Sequence, residues 1–143
     1  MVAEHLPNAI LEDPAWTSEC AAALAPYHDR LSWDAPLHFI SDLDALPIRP
    51  TQLNIKPSRF STVDRLLRVL NWLKEHNVAA YGGGQFELGA GRLQIQHLAS
   101  VCYPNAANDI APVDYHADGW PTPPPASPLP AFDQTIGFGG WQG

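Results

Sequence analysis

The sequence predicts an α+β fold: two amphipathic helices packed on a small, mostly antiparallel sheet, with an extended Pro/Gly-rich C-terminal tail. Three observations predict it. Apolar residues recur at helical spacing in two stretches, from Trp16 to Leu31 and from Val63 to Leu73. Short runs in which apolar and polar residues partly alternate lie between and after those stretches. From Tyr103 onward the chain changes character, and six of the ten residues from Pro121 to Pro130 are proline, which favours extended polyproline II backbone and forbids a regular ladder. The expected division is a globular domain over residues 1–103 and an extended segment over 104–143. With 143 residues, 45% of them hydrophobic, the chain has material for one core.

The first helix is expected to begin at Asp13-Pro14, with Asp13 as cap and Pro14 at the first helical position, where its missing N–H costs nothing. Trp16, Cys20, Leu24, Tyr27 and Leu31 then share one face, and Pro26 ends or kinks the helix. Prolines 36, 47, 50 and 57 leave room only for short strands, Leu37–Ile40 and Gln52–Ile55, read as edge strands. Ser61 and Asp64 resemble a capping box opening a second helix that ends near Asn77, with Val63, Leu66, Leu67, Leu70 and Leu73 toward the core. Residues 92–102 fit two patterns, strand and helix. Gly89-Ala90-Gly91 favours the strand, paired in a hairpin with Gln85–Leu88.

A formal charge of −7 excludes whole-surface attraction to nucleic acid or to anionic membrane, since both require a positive field. Six of the eight basic residues fall between Arg49 and Lys74, a spread expected of a solvated helix face. No run of about 18 apolar residues is present to span a bilayer. Cys20 and Cys102 stand far apart, and the first residues carry no signal-peptide pattern, so a reducing, cytoplasmic setting is expected. The two glycine clusters, Gly82-Gly83-Gly84 and Gly89-Ala90-Gly91, match no phosphate-loop motif and read as turns.

Chemistry is sought first in Asp114-Tyr115-His116-Ala117-Asp118, because a His-x-Asp pair on extended backbone can turn both side chains to one face. His116 and Asp118 would supply two metal ligands, with His97 or His38 as the third. The pair is similar to the first two iron ligands of the 2-oxoglutarate-dependent oxygenases. That family places a third ligand, a histidine, well downstream with a basic residue after it, and this sequence has neither beyond His116. The resemblance is therefore confined to the His-x-Asp pair and its neighbour.

Two functions follow. In the first, the chain is an accessory or assembly protein whose tail docks on a protein partner or a neighbouring subunit through Trp120, Phe132, Phe138 and Trp141, aromatic anchors set among glycine and proline. In the second, it is a small metal-dependent enzyme, non-haem iron or zinc, using the His-x-Asp pair and a divalent metal as cofactor.

Overall fold

The computed structural model describes residues 2–112. Helices and strands alternate along it. In chain order they are α1 (Val2–His5), β1 (Leu11–Glu12), α2 (Ser18–Leu24), β2 (Leu31–Trp33), α3 (Asp42–Ala45), β3 (Gln52–Ile55), α4 (Val63–His76), β4 (Ala79–Gly83), α5 (Ala90–Cys102) and β5 (Asn108–Asp109). A kinked pair of 3-10 turns at Ala25–Arg30 and a single one at Pro57–Phe60 lengthen two of the crossings.

The expected antiparallel sheet on two helices is corrected here. All five strands are parallel and lie in the order β1-β2-β3-β4-β5. Parallel neighbours cannot be joined by a tight turn and need a crossover of a dozen residues or more. That is why helices or helical turns occupy every interval between strands. The winding is single: each crossover delivers the chain to the next strand.

The sheet curls into a half-barrel. On β4, Tyr81 hydrogen-bonds to Glu12 on β1, although β2 and β3 intervene. On a flat sheet three strand spacings of ~4.8 Å would hold those backbones about 14 Å apart, and side chains standing off one face would stay separated. Curvature brings them together.

Register sorts the side chains between two faces. Trp33 pairs with Leu53, Leu53 with Ala80, and Ile55 with Gly82. Trp33, Leu53 and Ile55 join Leu66, Val69 and Leu73 of α4 and Ala99 of α5 in the buried core. The opposite set, Glu12, Ser32, Asn54 and Tyr81, occupies the concave face, with Glu12 paired to Ser32 and Asn54 to Tyr81.

Other expectations change with the topology. Asp13 caps no helix: the cap of α2 is Thr17, whose side chain accepts from Cys20 N at 3.1 Å. Leu37–Ile40 is a turn, in which Asp42 Oδ2 accepts from the amides of His38 and Phe39 at 2.8 and 2.7 Å. Gln52–Ile55 is a strand, but the central one, with Leu53 and Ile55 fully buried.

The second helix forms where its periodicity places it. Its cap is Thr62, which accepts from Arg65 N at 3.3 Å, and Asn77 closes it in the left-handed region at φ 54°. Its buried face runs through Leu66, Val69 and Leu73, whereas Val63 is 69% exposed and Leu67 48%. Residues 92–102 belong to helix α5, not to a hairpin strand. Gly89, at φ 54°, turns the chain into its first turn, and Ile95 and Ala99 bury at helical spacing. Among the described residues no helix is long and apolar enough to cross a membrane.

Candidate metal centre

In a singly wound sheet every strand ends on the same rim, and side chains just past the strand ends converge there. β1 ends at Glu12 with Asp13 next. Asp34 follows β2, and Lys56 follows β3. One oxygen from each of Glu12, Asp13 and Asp34 lies within 4.8 Å of the others. Such a cluster is costly unless balanced, and two cations balance most of it. Lys56 Nζ sits 2.7 Å from Asp34 Oδ2, and Arg59 Nη1 2.6 Å from Asp34 Oδ1. Arg59 also donates to the backbone carbonyl of Asp34. Asp34 is 6% exposed, so this pairing is what keeps its charge tolerable. Three carboxylates against two cations still leave the cluster net negative.

The three acids differ in what they have free. Asp13 spends both oxygens on backbone amides, Oδ1 on Asp34 N at 2.9 Å and Oδ2 on Ala35 N at 2.8 Å. It holds the β2 rim loop in place, from a left-handed backbone at φ 45°. Glu12 receives its hydrogen bonds on one oxygen: Asn54 Nδ2 donates to Oε2 at 3.0 Å, and the Tyr81 hydroxyl donates to the same atom. The exposed Glu12 side chain thus keeps Oε1 for another partner.

Tyr81 has one proton, which goes to Glu12. The Ser32 hydroxyl, 2.8 Å away and fully buried, therefore donates to the phenolic oxygen. Burial, and after it the bond to Glu12, raise the Tyr81 phenol well above its ordinary value. Asn54 is 2% exposed, and its Oδ1 is buried without a partner among the described residues. Gly83 makes room for this arrangement, since a Cβ there would lie 2.7 Å from Asn54 Oδ1 and 3.0 Å from Lys56 Cε. Farther along the rim, Glu87 accepts from Ser58 Oγ and, at 2.5 Å, from Gln85 N.

All-oxygen donors of this kind suit a hard divalent cation such as Mg²⁺ or Mn²⁺ and offer nothing to a thiophilic metal. Of the three acids only Glu12 keeps an oxygen, Oε1, without a bond among the described residues and fits as a direct ligand; both Asp34 oxygens are paired to Lys56 and Arg59, and both Asp13 oxygens accept from backbone amides. Water or substrate completes such a shell, because Mg²⁺ retains several waters.

The site predicted from sequence is elsewhere. His116, Asp118 and Asp114 lie outside the described residues, as do Trp120, Phe132, Phe138 and Trp141. His97 is exposed on α5, and His38 is exposed in the turn after β2, its Nε2 3.1 Å from Ala35 O. Neither belongs to the carboxylate cluster. The docking-tail reading is accordingly corrected: among the described residues the groups that converge are acidic and basic, not aromatic anchors, and they favour the metal-dependent alternative through other residues. A signal was present in the sequence. Leu11-Glu12-Asp13, Trp33-Asp34 and Ile55-Lys56 each set a charge directly after an apolar residue, a mark of each strand end but not of their meeting.

A family model described as Domain of unknown function (DUF8230) C-terminal domain matches residues 1–117. No curated protein and no solved structure matches.

Proposed function

The chain therefore belongs to that family, and we propose that it carries the metal-binding half of a divalent-cation-dependent active site. One observation carries the reading: carboxylates from two successive strand ends meet at one point of the rim, and Lys56, from the third strand end, is paired to the most buried of them. A bound Mg²⁺ or Mn²⁺ would supply Lewis acidity toward a substrate oxygen. Glu12 would hold the cation through Oε1, while Asp34, kept oriented by Lys56 and Arg59, would add negative charge beside it. The Lys56 and Arg59 cations beside that rim suit an anionic substrate oxygen. The substrate class is then a small molecule bearing an oxyanion.

Thermal melts with Mg²⁺, Mn²⁺, Ca²⁺ and Zn²⁺, and titration calorimetry with Mn²⁺, test it. Mg²⁺ and Mn²⁺ should raise the melting temperature of the wild type, and Glu12→Gln should abolish the response. Lys56→Met should keep metal binding. No response to any of the four ions at millimolar concentration would remove the reading.

A further inference from the structure

We propose that the open side of the curled sheet is an interface, and that it takes three further parallel strands, each with its helix, from a separate polypeptide. The inference does not depend on a cation and rests on the curvature. On the concave face Tyr81 of β4 reaches Glu12 of β1, and Ser32 and Asn54 are buried between them. Side chains that meet across the middle and fill it belong to a barrel of eight strands, since a wider one encloses a cavity. Strands spaced by ~4.8 Å and tilted by about 36° close at eight on a radius of roughly 8 Å, with a first and a fourth strand about 14 Å apart and their inward side chains aimed at one axis. Five strands at that curvature leave a gap three strands wide.

Both sides of the gap are unpaired edges. β1 and β5, two residues each, have one neighbour apiece among the described residues. Asp13 N donates to Ser32 O, and Gly82 N and Gly84 N donate to Ala107 O and Asp109 O. By alternation the backbone groups of Glu12 and Asn108 point out of the sheet, where a further parallel strand would pair with them. Apolar side chains also stand exposed on the segments that lead into both edges, Leu6 and Ile10 before β1 and Val101 in the last turn of α5 before β5. Helices of added units would cover them.

The occupant follows from length and charge. Successive strands here start about 20 residues apart or more, because each crossover takes a dozen residues or more. Residues 113–143 are too few for three such units and too rich in proline for paired strands. A second copy would bring five strands to a gap of three. Its edges also carry the same acids, Glu12, Asp13 and Asp109, on a chain of net charge −7, and like charges at a seam oppose that pairing. The occupant is therefore a different polypeptide, three parallel βα units whose outer strands end in Lys or Arg.

The chain's own units serve as the probe. Residues 1–61, which carry β1 to β3, are fused ahead of the full chain to complete the eight; residues 1–50, which carry only β1 and β2, give a control one strand short. Sedimentation, thermal melts and amide hydrogen exchange at Glu12 and Asn108 of the full-chain part are recorded for the parent and both fusions. The parent should be a monomer with both amides unprotected. The three-unit fusion should be a monomer that melts above the control, and exchange at both amides should slow about ten-fold or more. Glu12→Lys in the added copy, which meets the acidic β5 edge, should raise the melt further and serves if the plain fusion does not fold. A parent that dimerises with both amides protected would assign the gap to a second copy and overturn the proposal. So would three-unit fusions that leave the two amides unprotected, or that both fail to fold where the parent folds.

Discussion

Replacing Asp34 by asparagine preserves shape and removes one charge, and the structure says how much that charge matters. The carboxylate is 6% exposed and faces Lys56 at 2.7 Å and Arg59 at 2.6 Å, side chains that are 17% and 10% exposed. Removing one partner of a buried pair costs about 3–5 kcal/mol because the remaining charge is stranded. The asparagine oxygen can still accept one hydrogen bond, and Lys56 retains some access to water, so the lower end, ~3 kcal/mol, applies. That is a large share of the ~5–15 kcal/mol stability of a domain this size and should lower the melting temperature by roughly 10 °C.

The metal response gives a second, independent reading. A ligand at a hundred times its Kd stabilises the wild type by about 2.7 kcal/mol, and Asp34→Asn, which removes a negative charge beside the cation, should show less of it. Circular-dichroism melts of both proteins, with and without saturating Mg²⁺, measure both quantities. An Asp34→Asn protein that melts like wild type would refute the buried-pair argument. One that melts lower but still gains the full increment from Mg²⁺ would show that Asp34 supports the rim without lending its charge to the cation.

Further predictions follow from burial. Val69→Asp should unfold the domain, because Val69 is fully buried and an unpaired buried carboxylate costs several kcal/mol. Leu67→Asp, at 48% exposure, should melt within a few degrees of wild type, and equal effects at the two positions would show that the face of α4 is misassigned. Tyr103 is buried with its hydroxyl unpartnered among the described residues, and burial pushes its phenol up to about 12. The unfolded chain loses that proton near pH 10 while the folded one keeps it, so stability present below pH ~10 should be lost toward pH ~12, at about 1.4 kcal/mol per unit. Tyr103→Phe should flatten this alkaline slope in urea melts, and an unchanged slope would remove Tyr103 as its source.

The second helix and the central strand were legible because each is long enough to show a period. Leu66, Leu70 and Leu73 mark the face of α4, and the error at Val63 and Leu67 came from placing every apolar residue of the run on that face. The parallel sheet was not legible. Strands of two and three residues, Leu11–Glu12 and Leu31–Trp33, display no alternation, and strand direction is set by crossovers that periodicity does not report. The glycines before residue 92 suited a hairpin as well as a helix start, and only the packing of Ile95 and Ala99 decides between them. The site escaped for a related reason. Glu12-Asp13 looks like a helix cap, and Lys56 is one of several basic residues along 49–74. Nothing short of the winding brings them to one rim.

That winding also bears on the rate at which the molecule comes apart. Each strand pairs with the one before it, Leu11 with Leu31, Ser32 with Gln52, Gln52 with Ala79 and Gly82 with Asn108, so successive loop closures are of modest and similar length. Assembly can proceed unit by unit with no strand inserted between two already in place. The bond between Tyr81 and Glu12, 69 residues apart, cannot form until β1 to β4 are all docked and curled, and so belongs to the last stage. A cation bound beside Glu12 would stabilise contacts that form only after β1 to β4 have docked. It should leave the refolding rate unchanged and act entirely on unfolding, slowing it by the full factor by which it raises the equilibrium constant.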